Sequence, residues 1–414
     1  MKQPDALHTG VKEPAAGKGR GGLGKGTGAD RMKYRELKRC NHLKVSEIAL
    51  GCEGFIGKTP EEFKGMLDKA LSLGINFIDM YTPNPDFRDN LGAAMKGRRE
   101  KLVLQGHICS VWENGEYLRT RDMEKTKAGF EEQLQRLGTD YLDIGMIHYV
   151  DAENDFDEVF NGPVIRYCKE LKARGKIHAI GISSHNPVVA RKAVETGLID
   201  VLMFSVNAAY DMQPASEDCN ALFEKESYRD GFTGMNPERK ALYELCEQEG
   251  VAIDVMKVFG GGDMLNEKLS PFGVAFNEYQ CIEYCLSRPG VVSIMAGCHS
   301  ETEIEKAAFY YEASRQERDY SLVLSRMDKF QFHGNCMYCG HCAPCSVGIN
   351  VADVNKFLNL CLARGEVPET VADHYKLLSR HASDCVACGR CEQNCPFGVG
   401  IIEKMKKAVE VFGY

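Results

Sequence analysis

Eight of the eighteen cysteines in this 414-residue chain stand in two tight runs, Cys336-x2-Cys339-x2-Cys342-x2-Cys345 and Cys385-x2-Cys388-x2-Cys391-x3-Cys395-Pro396. Three thiolates so closely spaced can wrap one face of an iron–sulfur cube, and a fourth must come from farther along the chain. With this spacing and its terminal proline, the last cysteine of a run ligates the other cube. The expectation is two [4Fe-4S] clusters, one on Cys336, Cys339, Cys342 and Cys395 and one on Cys385, Cys388, Cys391 and Cys345. The first run departs from the pattern, since its last gap is one residue shorter and Ser346 replaces the proline. A single cluster, tetrahedral zinc and a structural disulfide set are the competing assignments.

A second set of chemical residues sits at the ends of apolar segments. Asp79 and Tyr81 follow the segment 76–80, His107 closes 101–108, and His148 and Tyr149 close 141–149. Glu53, Ser183, Ser184, His185, Asn207, Lys257 and His299 occupy the corresponding ends of the other segments. Imidazole titrates near neutral pH, which makes His107 and His148 candidate proton donors, ranked ahead of the phenol of Tyr81. Asp79, His107 and His148 are also a candidate divalent-metal set. Gly260, Gly261 and Gly262 follow one segment, and Gly297 and Cys298 precede a helix start at Ser300, both suited to a phosphate.

The elements that must position these residues alternate. Eight β-rich segments (47–54, 76–80, 101–108, 141–149, 178–184, 201–207, 251–259, 291–297) are separated by helical patterns at 61–72, 121–137, 157–173, 188–196, 236–248, 277–287 and 301–313, with a shorter one at 86–97. That is the count of a (β/α)8 TIM barrel, whose chemistry gathers at the C-terminal ends of the strands. An open doubly wound sheet is disfavoured because IALGCEGF stands where a GxGxxG fingerprint would follow the first strand. Three regions are expected: a Gly-rich disordered tail (1–30), the barrel (31–313) and a mostly helical two-cluster iron–sulfur domain (314–414). The tail's GKGRGGLGKGTG lacks the GK[ST] ending of a phosphate loop.

The formal charge of -8, from 51 basic and 59 acidic side chains, speaks against nucleic acid and an anionic membrane as partners. The start has no apolar core of a signal peptide, and no run of eighteen apolar residues occurs, so the expected location is the cytoplasm.

At the strand ends the sequence resembles the aldo/keto reductase family, through MKYRELKRCNHLKVSEIALGCEGF (32–55), GINFIDM (74–80), YLDIGMIHY (141–149), AIGISSHN (179–186) and VVSIMAGCHSETEIEKA (291–307). More narrowly it resembles the branch whose barrel carries a C-terminal ferredoxin-type module. The resemblance implies a nicotinamide cofactor, NAD(H) or NADP(H), across the barrel mouth and hydride transfer on a small carbonyl or alcohol. Of the family's catalytic aspartate, tyrosine, lysine and histidine, Asp79 and His148 carry over, whereas Asn84 takes the tyrosine position and His107 the lysine position. Ser183 matches the serine that holds the nicotinamide amide, Ser184 replaces the neighbouring asparagine, and Asn207, Lys257, Gly297 and Cys298 complete the expected cofactor rim. Glu303, near the place of a basic residue for the 2'-phosphate, tilts the cofactor toward NAD(H) or away from nicotinamide altogether.

The leading expectation is an iron–sulfur oxidoreductase that exchanges single electrons with a ferredoxin-like or flavoprotein partner and acts on a small-molecule substrate. A hydride step needs two electrons, so a flavin or a two-step relay is called for, although no flavin motif is visible. The opposing expectations are an electron-transfer or structural module whose barrel no longer catalyses, and a plain reductase with clusters that only staple its C-terminal part.

Overall fold

The computed structural model describes residues 31–218, 234–325 and 334–414. The glycine-rich tail and residues 219–233 and 326–333 lie outside the described residues. In chain order the first half contains β1 (Tyr34–Leu37), β2 (Leu43–Ser46), β3 (Ile48–Gly51), α1 (Pro60–Ser72), β4 (Phe77–Met80), α2 (Pro85–Ala94), β5 (Val103–Ile108), β6 (Ser110–Glu113), β7 (Glu116–Arg119), α3 (Met123–Leu137), β8 (Leu142–Ile147), α4 (Glu153–Phe160) and α5 (Pro163–Ala173). It continues with β9 (Ile177–Ser184), α6 (Pro187–Glu195), β10 (Val201–Ser205), α7 (Pro237–Glu249), β11 (Ala252–Met256), α8 (Glu278–Leu286), β12 (Val291–Gly297) and α9 (Glu301–Ala308).

Eight strands close into a parallel barrel in the order β3-β4-β5-β8-β9-β10-β11-β12, with β12 pairing back onto β3. Parallel strands are covered on both faces, and every residue of β4, β5 and β8 is buried accordingly. Five of the covering helices, α1, α2, α5, α6 and α7, open with proline, whose missing N–H costs nothing in the first turn. The antiparallel hairpin β1–β2 plugs the N-terminal end: Leu37 and Val45 pack with Val103, Val201 and Ala252, residues at the starts of their strands. The opposite end is left for the site.

Two departures from the sequence-based expectation have local causes. The helix expected over 157–173 is two helices, broken at Gly162, where a Cβ would lie 1.9 Å from the Glu158 carbonyl oxygen and where Pro163 starts a new helix. A second antiparallel hairpin, β6–β7, was not expected; it turns at Asn114 and Gly115, both left-handed (φ 54° and 85°), as a two-residue hairpin turn requires.

The C-terminal part holds α10 (Arg315–Arg318), α11 (Ser321–Ser325), α12 (Val351–Arg364), α13 (Glu369–Lys376), α14 (Arg390–Gln393) and α15 (Ile401–Phe412). Val354, Leu358 and Met405 belong to the same hydrophobic core as Ile282 and Tyr284 on α8. Gln248 of α7 donates to the Leu360 carbonyl (2.8 Å), and Lys356 pairs with Glu247 (3.5 Å). The expectation of a separate iron–sulfur domain is corrected because no group of three or more His, Cys, Asp or Glu side chains among the described residues could hold a metal ion. No helix among the described residues is long and apolar enough to cross a membrane.

Candidate active site

Asp79 and His107 are the next-to-last residues of β4 and β5, and His148 follows β8, so three neighbouring strands deliver them to one corner of the barrel mouth. They are joined in series. His107 Nε2 lies 3.0 Å from Asp79 Oδ1, and His107 Nδ1 lies 2.6 Å from His148 Nδ1. The series extends outward to a residue the sequence reading missed: the Tyr117 hydroxyl, on β7, is 2.7 Å from His148 Nε2. Inward, Gln105 Nε2 donates to Asp79 Oδ1 (2.9 Å) and to Asp254 Oδ2 (2.6 Å) inside the barrel.

The polarity of the series follows from which atoms can donate. A carboxylate at Asp79 only accepts, so His107 donates from Nε2. Its Nδ1 is then the acceptor of the His148 Nδ1–H, and His148 Nε2 accepts the Tyr117 O–H. His148 is neutral in this arrangement, with its proton on Nδ1. Burial, reinforced by His107, Arg121, Arg119 and His185, pushes His148 well below its ordinary pKa, in keeping with the neutral form.

Because His107 uses one ring nitrogen on each neighbour, Asp79, His107 and His148 form a line rather than converging on a point. Among the described residues no group of three or more His, Cys, Asp or Glu side chains could hold a metal ion, which corrects the divalent-metal reading of this triad. The same finding overturns the two [4Fe-4S] clusters, the single-cluster and zinc assignments and the ferredoxin-type module. The eight cysteines nonetheless line two small pockets. Cys336, Cys339, Cys342 and Cys395 line the first, and Cys345, Cys385, Cys388 and Cys391 the second. Burial pushes the thiol of Cys336 up to about 11 and that of Cys342 to about 12. The exposed Cys388 is instead lowered, chiefly by its hydrogen bond with Ser346 Oγ (3.1 Å). Every described cysteine is a free thiol, so the disulfide alternative fails among the described residues.

The remaining expected site residues divide. Tyr81 lies near the triad but outside the hydrogen-bonded series, and burial, then Glu53 and Asp79, push its phenol up to about 12. Asn84 is an N-cap: its Oδ1 accepts the Phe87 N–H (2.9 Å) at the start of α2. Ser183 Oγ accepts the Tyr149 N–H (2.8 Å) and keeps its own O–H for another partner. Ser184 Oγ donates to Asp151 Oδ1 (2.8 Å), and Asn207 is spent on a local turn and on the Lys257 carbonyl. Gly260, Gly261 and Gly262 are all left-handed (φ 60°, 71° and 101°), and nothing lies within 4 Å of a Cβ built on Gly261, Gly262 or Gly297. Cys298 is buried, which with Glu303 raises its thiol to about 12.

The aldo/keto reductase family model matches residues 47–279, more than half of the chain. The chain belongs to the aldo/keto reductase family. It is an oxidoreductase of aldo/keto reductase type. Its relatives include an uncharacterised oxidoreductase of Bacillus subtilis, YqkF, 26% identical over 300 residues that span 69% of this chain and 92% of that protein. Another is an NADH-specific methylglyoxal reductase of Escherichia coli, 29% identical over 181 residues; the match covers 38% of this chain and about half (54%) of that enzyme. Among solved structures, the aldo-keto reductase AKR11C1 of Bacillus halodurans shares the fold with a TM-score of 0.54 and 23% identity, over 69% of this chain and 94% of that one.

Proposed function

We propose that this aldo/keto reductase moves a hydride between a nicotinamide dinucleotide, NAD(H) in preference to NADP(H), and the carbonyl carbon of a small aldehyde or ketone, in the cytosol. The observation that carries the reading is the series His148–His107–Asp79 at the open end of the barrel. It links the open end of the barrel to a buried carboxylate through two hydrogen-bonded imidazoles. The chain's residues fit the cofactor: the bare backbone at Gly261, Gly262 and Gly297 leaves room for the close approach of a pyrophosphate. When bound, the cofactor supplies the hydride. Glu303 Oε2 accepts the His299 N–H (2.8 Å), so its carboxylate lies across the start of α9 and repels a ribose 2'-phosphate there. The name of the Escherichia coli relative, with NADH and a small dicarbonyl, agrees with this preference. A one-electron protein partner has no part in the reading, because a hydride carries both electrons.

Stopped-flow reduction of a panel of small aldehydes and ketones tests it. The wild-type chain should oxidise NADH faster than NADPH, and His148→Gln should lower the single-turnover rate by roughly 10²- to 10⁴-fold, the span for losing general acid–base catalysis. No turnover of any carbonyl, and none of the corresponding alcohols in reverse, would sink the reading.

A further inference from the structure

The imidazoles of the series have no ring nitrogen left for a substrate. His107 spends Nε2 on Asp79 and Nδ1 on His148, and His148 spends Nδ1 on His107 and Nε2 on Tyr117. A histidine has two nitrogens and no third site. Tyr117 is different, since its hydroxyl uses one hydrogen-bonding position on His148 and retains its others. Asp79 and His107 are each 3% exposed, whereas Tyr117 is 45% exposed at the outer end. Of the four side chains in the series the phenol is the most exposed.

We propose that Tyr117 is the catalytic acid and base of this enzyme, exchanging a proton with the substrate oxygen while His148, His107 and Asp79 relay the proton behind it; this rests on the carbonyl–alcohol reading above. The family position for a phenol holds the helix cap Asn84, and the hairpin β6–β7 brings a phenol to the same triad from another element. The hairpin is held firmly. Ser110 Oγ donates to the Tyr81 carbonyl (3.1 Å), Arg119 donates to the Tyr149 carbonyl (2.7 Å), and Arg121 binds Asp155 through two nitrogens and the His148 carbonyl as well (3.0 Å). These bonds fix the phenol relative to the residue it must serve.

The proton and electron accounts close. In the oxidative direction Tyr117 oxygen takes the alcohol proton as its own proton passes to His148 Nε2 and the His148 Nδ1 proton passes to His107 Nδ1, so that the imidazolium forms on His107 against the Asp79 carboxylate while His148 stays neutral. The alkoxide carbon then loses its hydrogen with both bonding electrons to the cofactor, and a carbonyl forms. In reduction the carbonyl carbon gains that hydride, the π pair moves to oxygen, and the oxygen takes the Tyr117 proton. His148 restores the phenol with a proton drawn from solvent.

The test is Tyr117→Phe in the full chain, read by single-turnover reduction of whichever aldehyde the wild type turns over, with NADH binding followed by fluorescence. The rate should fall by roughly 10²- to 10⁴-fold with NADH affinity retained, and Tyr81→Phe should cost less. A fluorinated tyrosine at position 117, with a more acidic phenol, should move the basic limb of the pH–rate profile to lower pH. A near-wild-type rate in Tyr117→Phe alongside a collapse in His148→Gln overturns this assignment and leaves the carbonyl reading standing. A wild-type chain inert toward every carbonyl and alcohol overturns both.

Discussion

Asp254 is the innermost member of the site and shows what its environment does to a carboxyl. It sits on β11 with no solvent exposure; Oδ2 accepts from Gln105, and Oδ1 has no hydrogen-bond partner. Burial, and further the charge of Asp79, push it up to about 7 against the lowering effect of the Gln105 hydrogen bond. In the unfolded chain the same group titrates near 3.9. Between those values the unfolded state releases a proton that the folded state keeps, so the contribution to stability is full below about pH 4 and is lost as pH rises toward about 7. An asparagine side chain in this place would carry the shape of the protonated acid without ever ionising. Asp254→Asn is therefore expected to melt above the wild type at about pH 8 and close to it at about pH 4. Equal melting differences at both pH values would show that this carboxyl is not held protonated by the barrel. Asp79, His107 and His148 were legible in the sequence because each stands at the end of a strand whose apolar run is easy to read. Their connection in series was not, since spacing along the chain says nothing about which imidazole nitrogen faces which partner.

At the level of elements, the hairpin β6–β7 converts an ordinary strand-to-helix connection into a catalytic arm. Its register pairs Trp112 with Tyr117 across the two strands, next to the Asn114–Gly115 turn. Gly115 holds φ 85°, and valine there costs roughly 1–3 kcal/mol of backbone strain. Gly115→Val is expected to lower the reduction rate toward that of Tyr117→Phe while the barrel keeps its cooperative unfolding, and Gly115→Asn should retain most of the rate because asparagine tolerates a left-handed turn. Rates and thermal melts of the two variants check this; unchanged turnover in Gly115→Val would detach the hairpin from the chemistry. An Asn-Gly pair between SVWE and EYLR is a strong hairpin signal in the sequence itself. It was passed over because the region falls between a barrel strand and its helix, where alternation predicts a loop. The strand order was legible for the opposite reason: eight buried apolar runs spaced by helices leave few ways to close a sheet. The cysteine runs show the limit of spacing as a guide. It placed the thiols near one another, but the described side chains form no metal-holding group.

At the scale of the whole molecule, the C-terminal helices are tied to the barrel by a buried arginine. Arg288, just after α8, is 1% exposed, and its Nη2 donates to the Tyr320 hydroxyl (2.9 Å) and the Met337 carbonyl. Its Nε donates to the Tyr284 carbonyl (3.1 Å), and its guanidinium lies 4.4 Å from the Tyr284 ring centre and 5.6 Å from that of Tyr338. The Tyr338 hydroxyl in turn accepts from Asn359 on α12 (2.8 Å), so one unbroken line of contacts runs from the outer layer of the barrel into the C-terminal helices. A planar cation with several donors suits such a junction, because it satisfies carbonyl and hydroxyl oxygens while stacking on rings. A methionine side chain in its place would fill much of the same volume with no donor; the Met337 carbonyl keeps the Tyr320 O–H (2.7 Å) and the Tyr284 carbonyl the Ser287 O–H (2.8 Å), so what is lost is the charge-assisted bonds, roughly 1.5–3 kcal/mol each, and the cation's contacts with the rings. Arg288→Met is expected to lower the melting temperature, to make the C-terminal helices more susceptible to limited proteolysis than the barrel, and to leave the rate per folded molecule near that of the wild type, since the relay at the mouth contains none of these groups. If proteolysis and melting matched the wild type, the junction would have to be held by the α7–α12 contacts instead. A loss of rate without a change in melting would mean that the C-terminal helices act on the site itself.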